Sequence, residues 1–337
     1  MKRVSVAVLV VCGLASIVPW SNAADDVTIT TFNVPGAGKG KGQGTLGEGI
    51  ANNGTIVGTY IDSAGVSHGF LRSSTGTYTK FDVPKSASTS PTGINAALSV
   101  TGSYTDTTGA VRGFVRTSAG KFTTFAVAGA EGTLPTSINS TGEIAGSFAV
   151  TNYHGFLRSA SGTITNFNEP QETKGTRVTG LNDGGAICGY YLYGSGTTHT
   201  QGFLRAADGT FTKIDVSGSA DTYVTGVNLN NDVAGSYSTN GTLYHGFLLS
   251  SGTYTSFDPS GSLSTFPTAV NSAGVIAGYF ANATKNPGFL RNPNGNILVF
   301  DVAEDAGGTW PTAINPKGAV TGYYIDSNGV NHGFLRP

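Results

Sequence analysis

A chain of 337 residues with 19 basic and 20 acidic side chains carries almost no net charge, which argues against nucleic acid or an anionic membrane as its main partner. Charged residues make up only 12% and glycines number 50, yet aromatics reach 10%, a balance that fits a turn-rich β-protein and excludes a disordered chain. No run after the first residues approaches the roughly 18 apolar residues of a membrane-spanning helix, so no membrane insertion is expected.

Residues 1–23 read as a signal peptide. Lys2 and Arg3 provide a positive start, an apolar stretch follows, and Ser21-Asn22-Ala23 offers a small-residue cleavage site. The mature protein is therefore expected to be secreted, extracellular or periplasmic, after cleavage near Ala23. Cys12 follows Val11 and lies too near the start for a lipid anchor. Cys188 is then the only cysteine of the mature chain, which leaves no internal disulfide and places stability on a packed core. Residues 28–34 read as one strand ending in Phe32-Asn33-Val34. The glycine-rich stretch 36–44 lacks the Gly-Lys-Ser/Thr ending and the following helix of a phosphate-binding loop, and reads as a flexible loop.

From there the chain repeats itself. His68-Gly69-Phe70-Leu71-Arg72 returns, with substitutions, around Gly113, Gly155, Gly202, Gly246, Gly288 and Gly333, at steps of 44, 42, 47, 44, 42 and 45 residues. Such a period signals an array of small supersecondary units. Each period carries four strand-like segments, a to d, rich in Ile, Val, Phe, Tyr and Thr; in the first they fall at 49–52, 55–61, 68–73 and 77–83. Segment a ends in an Asn-x-x-Gly turn, as in Asn139 with Gly142 or Asn315 with Gly318. Segment b holds an interior glycine, Gly58 and its counterparts, expected to let a neighbouring sheet and an aromatic ring approach. Segment d reads Phe81-Asp82-Val83 and similar.

Six copies of d follow their own c, while the seventh stands at the other end of the chain, in residues 28–34. A ring in which the N-terminal strand joins the last unit removes both exposed sheet edges. The expectation is an all-β, seven-bladed β-propeller of four-stranded blades, closed in that way. Residues 24–337 form one domain, with blades beginning near 46, 90, 134, 177, 223, 266 and 310.

The pattern Ile-Asn-x-x-Gly-x-Ile-x-Gly followed by His-Gly-Phe-Leu-Arg, clean in 138–158 and with Val for the second Ile in 314–336, resembles the bacterial extracellular HAF repeats. The resemblance spans the mature chain and implies secretion and a propeller-like array. It carries over no functional residue.

Four histidines, His68, His154, His245 and His332, share one repeat position, and Asp82 stands 14 residues after His68. The spacing recurs with substitutions, which points to a hydrogen bond tying c to d and away from a catalytic dyad. Spread over four units, these histidines are not expected to hold a metal. The repeated arginines are expected to lie along aromatic rings or cap strand ends. The stretches from Asp62 and Asp326 read as ordinary turns. No cofactor is expected.

One position breaks the repeat. Just before segment a stand Leu46, Ser90, Leu134, Arg177, Tyr223, Phe266 and Trp310, in most units followed by Pro or Val and then Thr, with Glu48 in place of the Thr in the first unit. Placed in the d–a connections at the channel mouth, Tyr223, Phe266 and Trp310 would form a ligand-binding surface, with Arg177 and Glu48 on its rim. Aromatic faces with a few polar neighbours suit a carbohydrate or an aromatic extracellular ligand. A monomeric, secreted binding or scaffold module is the preferred reading. Its rivals are a polysaccharide lyase or hydrolase using Glu48, Asp221, Arg177 and Tyr223, and a structural cell-envelope protein.

Overall fold

The computed structural model describes residues 27–337, so the expected signal peptide lies outside the described residues. Among the described residues there are 28 strands and no helix. They form five sheets, three of four strands and two of eight. Each eight-stranded sheet divides into two antiparallel four-stranded units that meet at a single parallel bridge, Gly132 opposite Val111 in one and Gly44 opposite Asn331 in the other.

The first unit consists of Gly44–Ile50, Ile56–Ile61, Ser67–Arg72 and Tyr78–Phe81, here strands a to d. Turns between a and b follow the expected chemistry. Asn95 Oδ1 accepts from Ala97 N and Ser99 N at 3.1 and 2.9 Å, and the turn glycines adopt positive φ. Where that glycine is missing, Leu98 and Asn231 are held at φ 60° and 62°. For leucine that conformation costs about 1–2 kcal/mol.

Two expectations need correction. Strand a begins two to four residues before the expected boundaries, at Gly44, Ser86, Gly132, Gly175, Asp221, Ser264 and Gly308. The x-Pro-Thr tripeptides therefore lie inside strand a and not in a connection. Strand a pairs along its length only with b, and its register slips just after the proline, so the missing N–H is tolerated there. The strand-b glycine, for its part, serves its own unit. A Cβ on Gly58 would strike the Leu46 carbonyl oxygen and the Phe70 ring.

The core lies between units. The strand-c phenylalanines Phe70, Phe114, Phe156, Phe203, Phe247, Phe289 and Phe334 are at most 1% exposed, each worth about 2–3 kcal/mol of burial. Val57, Phe81 and Val83 of the first unit pack with Val100, Tyr104 and Phe114 of the second. Each unit thus completes its core on its neighbour, as in other repeat folds.

Polar ties reinforce these interfaces. Arg72, Arg116, Arg158, Arg205, Arg291 and Arg336 each lie over a phenylalanine of the preceding strand d, at 4.9–5.5 Å from the ring centre. In the one unit with Leu249 in place of arginine, the preceding strand d carries Ile214 in place of phenylalanine, and both belong to one apolar cluster. The turn asparagines also do more than shape turns. Asn95, Asn139, Asn182, Asn228 and Asn271 each donate Nδ2 to the carbonyl of the next unit's asparagine, and Asn315 donates to Ala51, at 2.7–3.5 Å.

Within units, the c–d bond expected at the histidines is present. His68 Nδ1 meets Asp82 Oδ2 at 2.9 Å, His154 meets Asn168 at 2.9 Å, and His245 meets Asp258 at 2.7 Å. Where Pro287 replaces the histidine, Lys285 reaches Asp301 instead, at 2.8 Å.

At the N-terminus Thr30–Phe32 pairs antiparallel with Asn331–Arg336, Thr30 opposite Leu335. This strand is shorter than the expected 28–34. His332 Nδ1 meets Asn33 Oδ1 at 2.8 Å. The glycine-rich segment that follows is pinned, contrary to the expected flexible loop: Gly38 N donates to Ile61 O and Gly42 N to Gly329 O, both at 2.8 Å.

Candidate functional site

A β-bulge shapes the middle of the molecule. In every strand a the pairing register with strand b slips by one residue, and the residue left over is Glu48, Thr92, Thr136, Thr179, Thr225, Thr268 or Thr312. A bulge re-aims the extra side chain. All seven of these residues line one cavity of about 400 Å³, walled by the first strands of all the units.

The six threonine hydroxyls have their protons committed. Thr92, Thr136, Thr179 and Thr312 donate across to Pro135, Val178, Val224 and Gly47 carbonyls of the next unit, at 2.7–3.2 Å. Thr225 and Thr268 donate to Ala234 and Ala277 carbonyls at 3.2 Å. Their oxygens keep only lone pairs for a guest.

Glu48 is the single charged group of this cavity, and no hydrogen-bond partner meets it among the described residues. Its accessible surface leaves it half-buried because it faces the cavity. The surrounding walls still desolvate it enough to raise its pKa from 4.5 to about 7.

A second cavity, of about 510 Å³, adjoins the first and shares Thr136, Thr179, Thr225 and Thr268 with it. Tyr223, Tyr244, Phe266 and Tyr279 form its aromatic wall. These rings belong to a longer arc. Tyr190 meets Tyr223 at 5.0 Å, Tyr223 meets Tyr244 at 5.9 Å, and Tyr244 meets Phe266 at 5.8 Å. Phe266 stacks on Tyr279 at 5.1 Å, Tyr279 meets Trp310 edge-on at 6.4 Å, and Trp310 stacks on Tyr323 at 5.4 Å and 16°. At the other end Arg177 lies over Tyr153, 3.1 Å from the ring centre. Burial, and then the charge of Glu48, raises the pKa of Tyr323, and Gly322, just before that tyrosine, packs against Gly47, just before Glu48.

The expected site residues thus fall into place unequally. Tyr223 and Phe266 share the aromatic cavity, and Trp310 continues the same arc through Tyr279. Arg177 stands at the arc's far end, against Tyr153. Glu48 sits in the central cavity and not on a rim. Of the residues considered for catalysis, Asp221 Oδ1 accepts from Thr200 N at 2.8 Å, and the Tyr223 hydroxyl accepts from Thr200 Oγ1 at 3.2 Å. Both are thus tied to one neighbour, Thr200. Cys188 is fully buried and its thiol is pushed up to about 12, so it is no nucleophile.

Sequence reasoning missed Tyr244 and Tyr279, which bridge the three expected rings, and Tyr190 and Tyr323, which extend them. Tyr190, Tyr279 and Tyr323 stand directly after the strand-b glycine, whereas Tyr60 and its counterparts stand two places after it. Strand alternation sends these two positions to opposite faces. Separating them would have exposed these three rings of the arc, though not Tyr244, which directly precedes His245 of strand c.

No family model matches the sequence, and no curated protein matches it. Solved structures do. The virginiamycin B lyase of Staphylococcus aureus is 13% identical with a TM-score of 0.62, over 93% of this chain and 100% of that one. The β-propeller domain of the Trilobed protease of Pyrococcus furiosus is 8% identical with a TM-score of 0.65, over 87% and 95%. The BP39L lectin of Burkholderia pseudomallei is 10% identical with a TM-score of 0.55, over 86% and 93%. The fold is a β-propeller. Within it the central cavity is the propeller channel, and the aromatic cavity opens beside it. At these identities the likeness is one of fold alone.

Proposed function

We propose that the protein is a secreted, seven-bladed propeller, closed by its N-terminal strand, that binds a ring-bearing extracellular ligand, a carbohydrate in first place, in the aromatic cavity beside its channel. One domain covers residues 24–337. Seven four-stranded units support the blade count. Closure is supported by the pairing of Thr30–Phe32 with Asn331–Arg336, by the Thr312 and Asn315 bonds to Gly47 and Ala51, and by Arg72 lying over Phe32. Deleting residues 24–35 would bare a sheet edge, cost several kcal/mol and favour aggregation. A truncated protein with unchanged melting temperature and solubility would overturn closure.

The binding reading is carried by one observation. Arg177, Tyr223, Phe266 and Trp310 stand where the other units have Leu46, Ser90 and Leu134, and they gather with Tyr190, Tyr244, Tyr279 and Tyr323 into one arc. The strand tolerates Ser or Leu at this position, so the fold does not require the rings. Sugar rings lay C–H faces on aromatic side chains and direct hydroxyls to polar neighbours, and Ser236 and the threonines of the cavity wall supply such neighbours.

A glycan array probed with the mature protein, followed by titration of the best hit, tests the reading. Trp310 is the only tryptophan among the described residues and adjoins Tyr279 of the cavity wall, so its fluorescence serves as the readout. Phe266→Ala should weaken binding by about 2 kcal/mol with the fold intact. Equal affinity in that variant, or no binding of any ring-bearing ligand, would remove the assignment.

A further inference from the structure

We infer that the propeller channel is a binding site for a protonated amine, so that the ligand of the adjoining aromatic cavity is an amine-bearing ring compound. This rests on the aromatic-cavity reading for the ring, and on separate observations for the amine.

The channel has a one-sided chemistry. Six threonine oxygens at equivalent bulges have their hydrogens bound to backbone carbonyls at 2.7–3.2 Å, so they accept hydrogen bonds and have none to give. The seventh bulge residue is Glu48, which once ionised also only accepts. The guest that answers such a ring is rich in donors and carries one positive charge. A primary ammonium has three N–H donors and a single charge, matching one carboxylate.

The surroundings favour an organic cation over a metal ion. Apart from the Ser137 hydroxyl, the remaining channel wall is glycine and aliphatic, including Ile50, Ile94, Val227 and Val270, and no group of three or more His, Cys, Asp and Glu side chains gathers among the described residues. Ring faces attract ammonium groups, and the arc of rings ends at Tyr323, whose neighbour Gly322 packs against Gly47 beside Glu48. A ring seated on Phe266 and Tyr279 has a path past Thr268 or Thr225, which line both cavities, to the channel.

Burial raises the Glu48 carboxyl to about 7, and the charge of Glu48 in turn raises the Tyr323 hydroxyl. An ammonium beside Glu48 would favour the ionised form, so binding would release a proton at neutral pH.

The test uses the glucosamine disaccharide and tyramine as amine probes, with the N-acetylated disaccharide as the neutral control, in calorimetric titrations at pH 7.5. Three proteins are compared: the unaltered protein, Glu48→Thr and Phe266→Ala. Glu48→Thr restores the residue that the six other units carry, so it is expected to fold. The free amine should bind the unaltered protein about tenfold more tightly than its acetylated form. Glu48→Thr should abolish that preference, while Phe266→Ala should weaken both disaccharides and leave the preference in place. Equal binding of charged and neutral sugars would overturn the amine site and leave the aromatic site standing. Failure of both amine probes to bind would also overturn it, as would a Glu48-dependent response to calcium or magnesium chloride alone.

Discussion

Replacing Arg158 by leucine and Phe125 by isoleucine, singly and together, tests how neighbouring blades are held. In the native protein the Arg158 guanidinium lies over Phe125 at 5.0 Å, and Nη1 donates to Ser159 O at 3.1 Å, while Nε is buried without a partner. Desolvation lowers the arginine's pKa, a sign that the charge is held there at some cost. A partly desolvated cation–π contact contributes about 1–2 kcal/mol, and a hydrogen bond from a charged donor about 1.5–3 kcal/mol. Removing a buried guanidinium gives part of this back. Each single substitution is expected to cost about 1–2 kcal/mol.

The double variant copies a pair the molecule already contains, Leu249 and Ile214 in one apolar cluster. Its cost should fall short of the sum of the singles by about 1 kcal/mol, the coupling expected of groups in contact. Urea unfolding followed by fluorescence measures all four proteins. A coupling below about 0.3 kcal/mol, within the range of independent sites, would refute the view that arginine and phenylalanine act as one inter-blade unit.

Two other perturbations follow from the same geometry. Ala51→Asn would supply the asparagine that the first unit lacks, aimed at the Asn95 carbonyl; it should add about 1 kcal/mol and raise the melting temperature by about 2–4 °C, and an unchanged or lower melting temperature would refute the ladder. Glu48 has a folded pKa near 7 against 4.5 in the unfolded chain, so the folded state binds more protons between these values and its stability falls as pH rises from about 4.5 to 7. Glu48→Thr removes that loss: its melting temperature should match the native protein's near pH 4.5 and exceed it increasingly toward pH 7.5, whereas a constant difference would count against burial as the cause.

Features that lie within one unit were legible in the amino-acid sequence. The recurring Gly-Phe pair marked strand c, the Asn-x-x-Gly stretches marked turns, and the 14-residue spacing of His68 and Asp82 identified a bond within one hairpin. Such relations depend on local backbone geometry, which alternation and turn chemistry encode directly. Contacts between units were not legible in this way. Arg158 meets Phe125, and Asn182 meets the Asn228 carbonyl, because of the angle between adjacent sheets, which no spacing within a period specifies. The matched change to Leu249 and Ile214 was visible only once those two positions had been brought together. The bulge in strand a decided the rest. By inserting one unpaired residue after Pro91 or Pro267, it turned Thr92, Thr268 and Glu48 into the channel and left Phe266 and Trp310 inside a strand, next to Tyr279. A one-residue slip exchanges the two faces of a strand, and where the slip falls is set by the packing of the innermost strands around the channel.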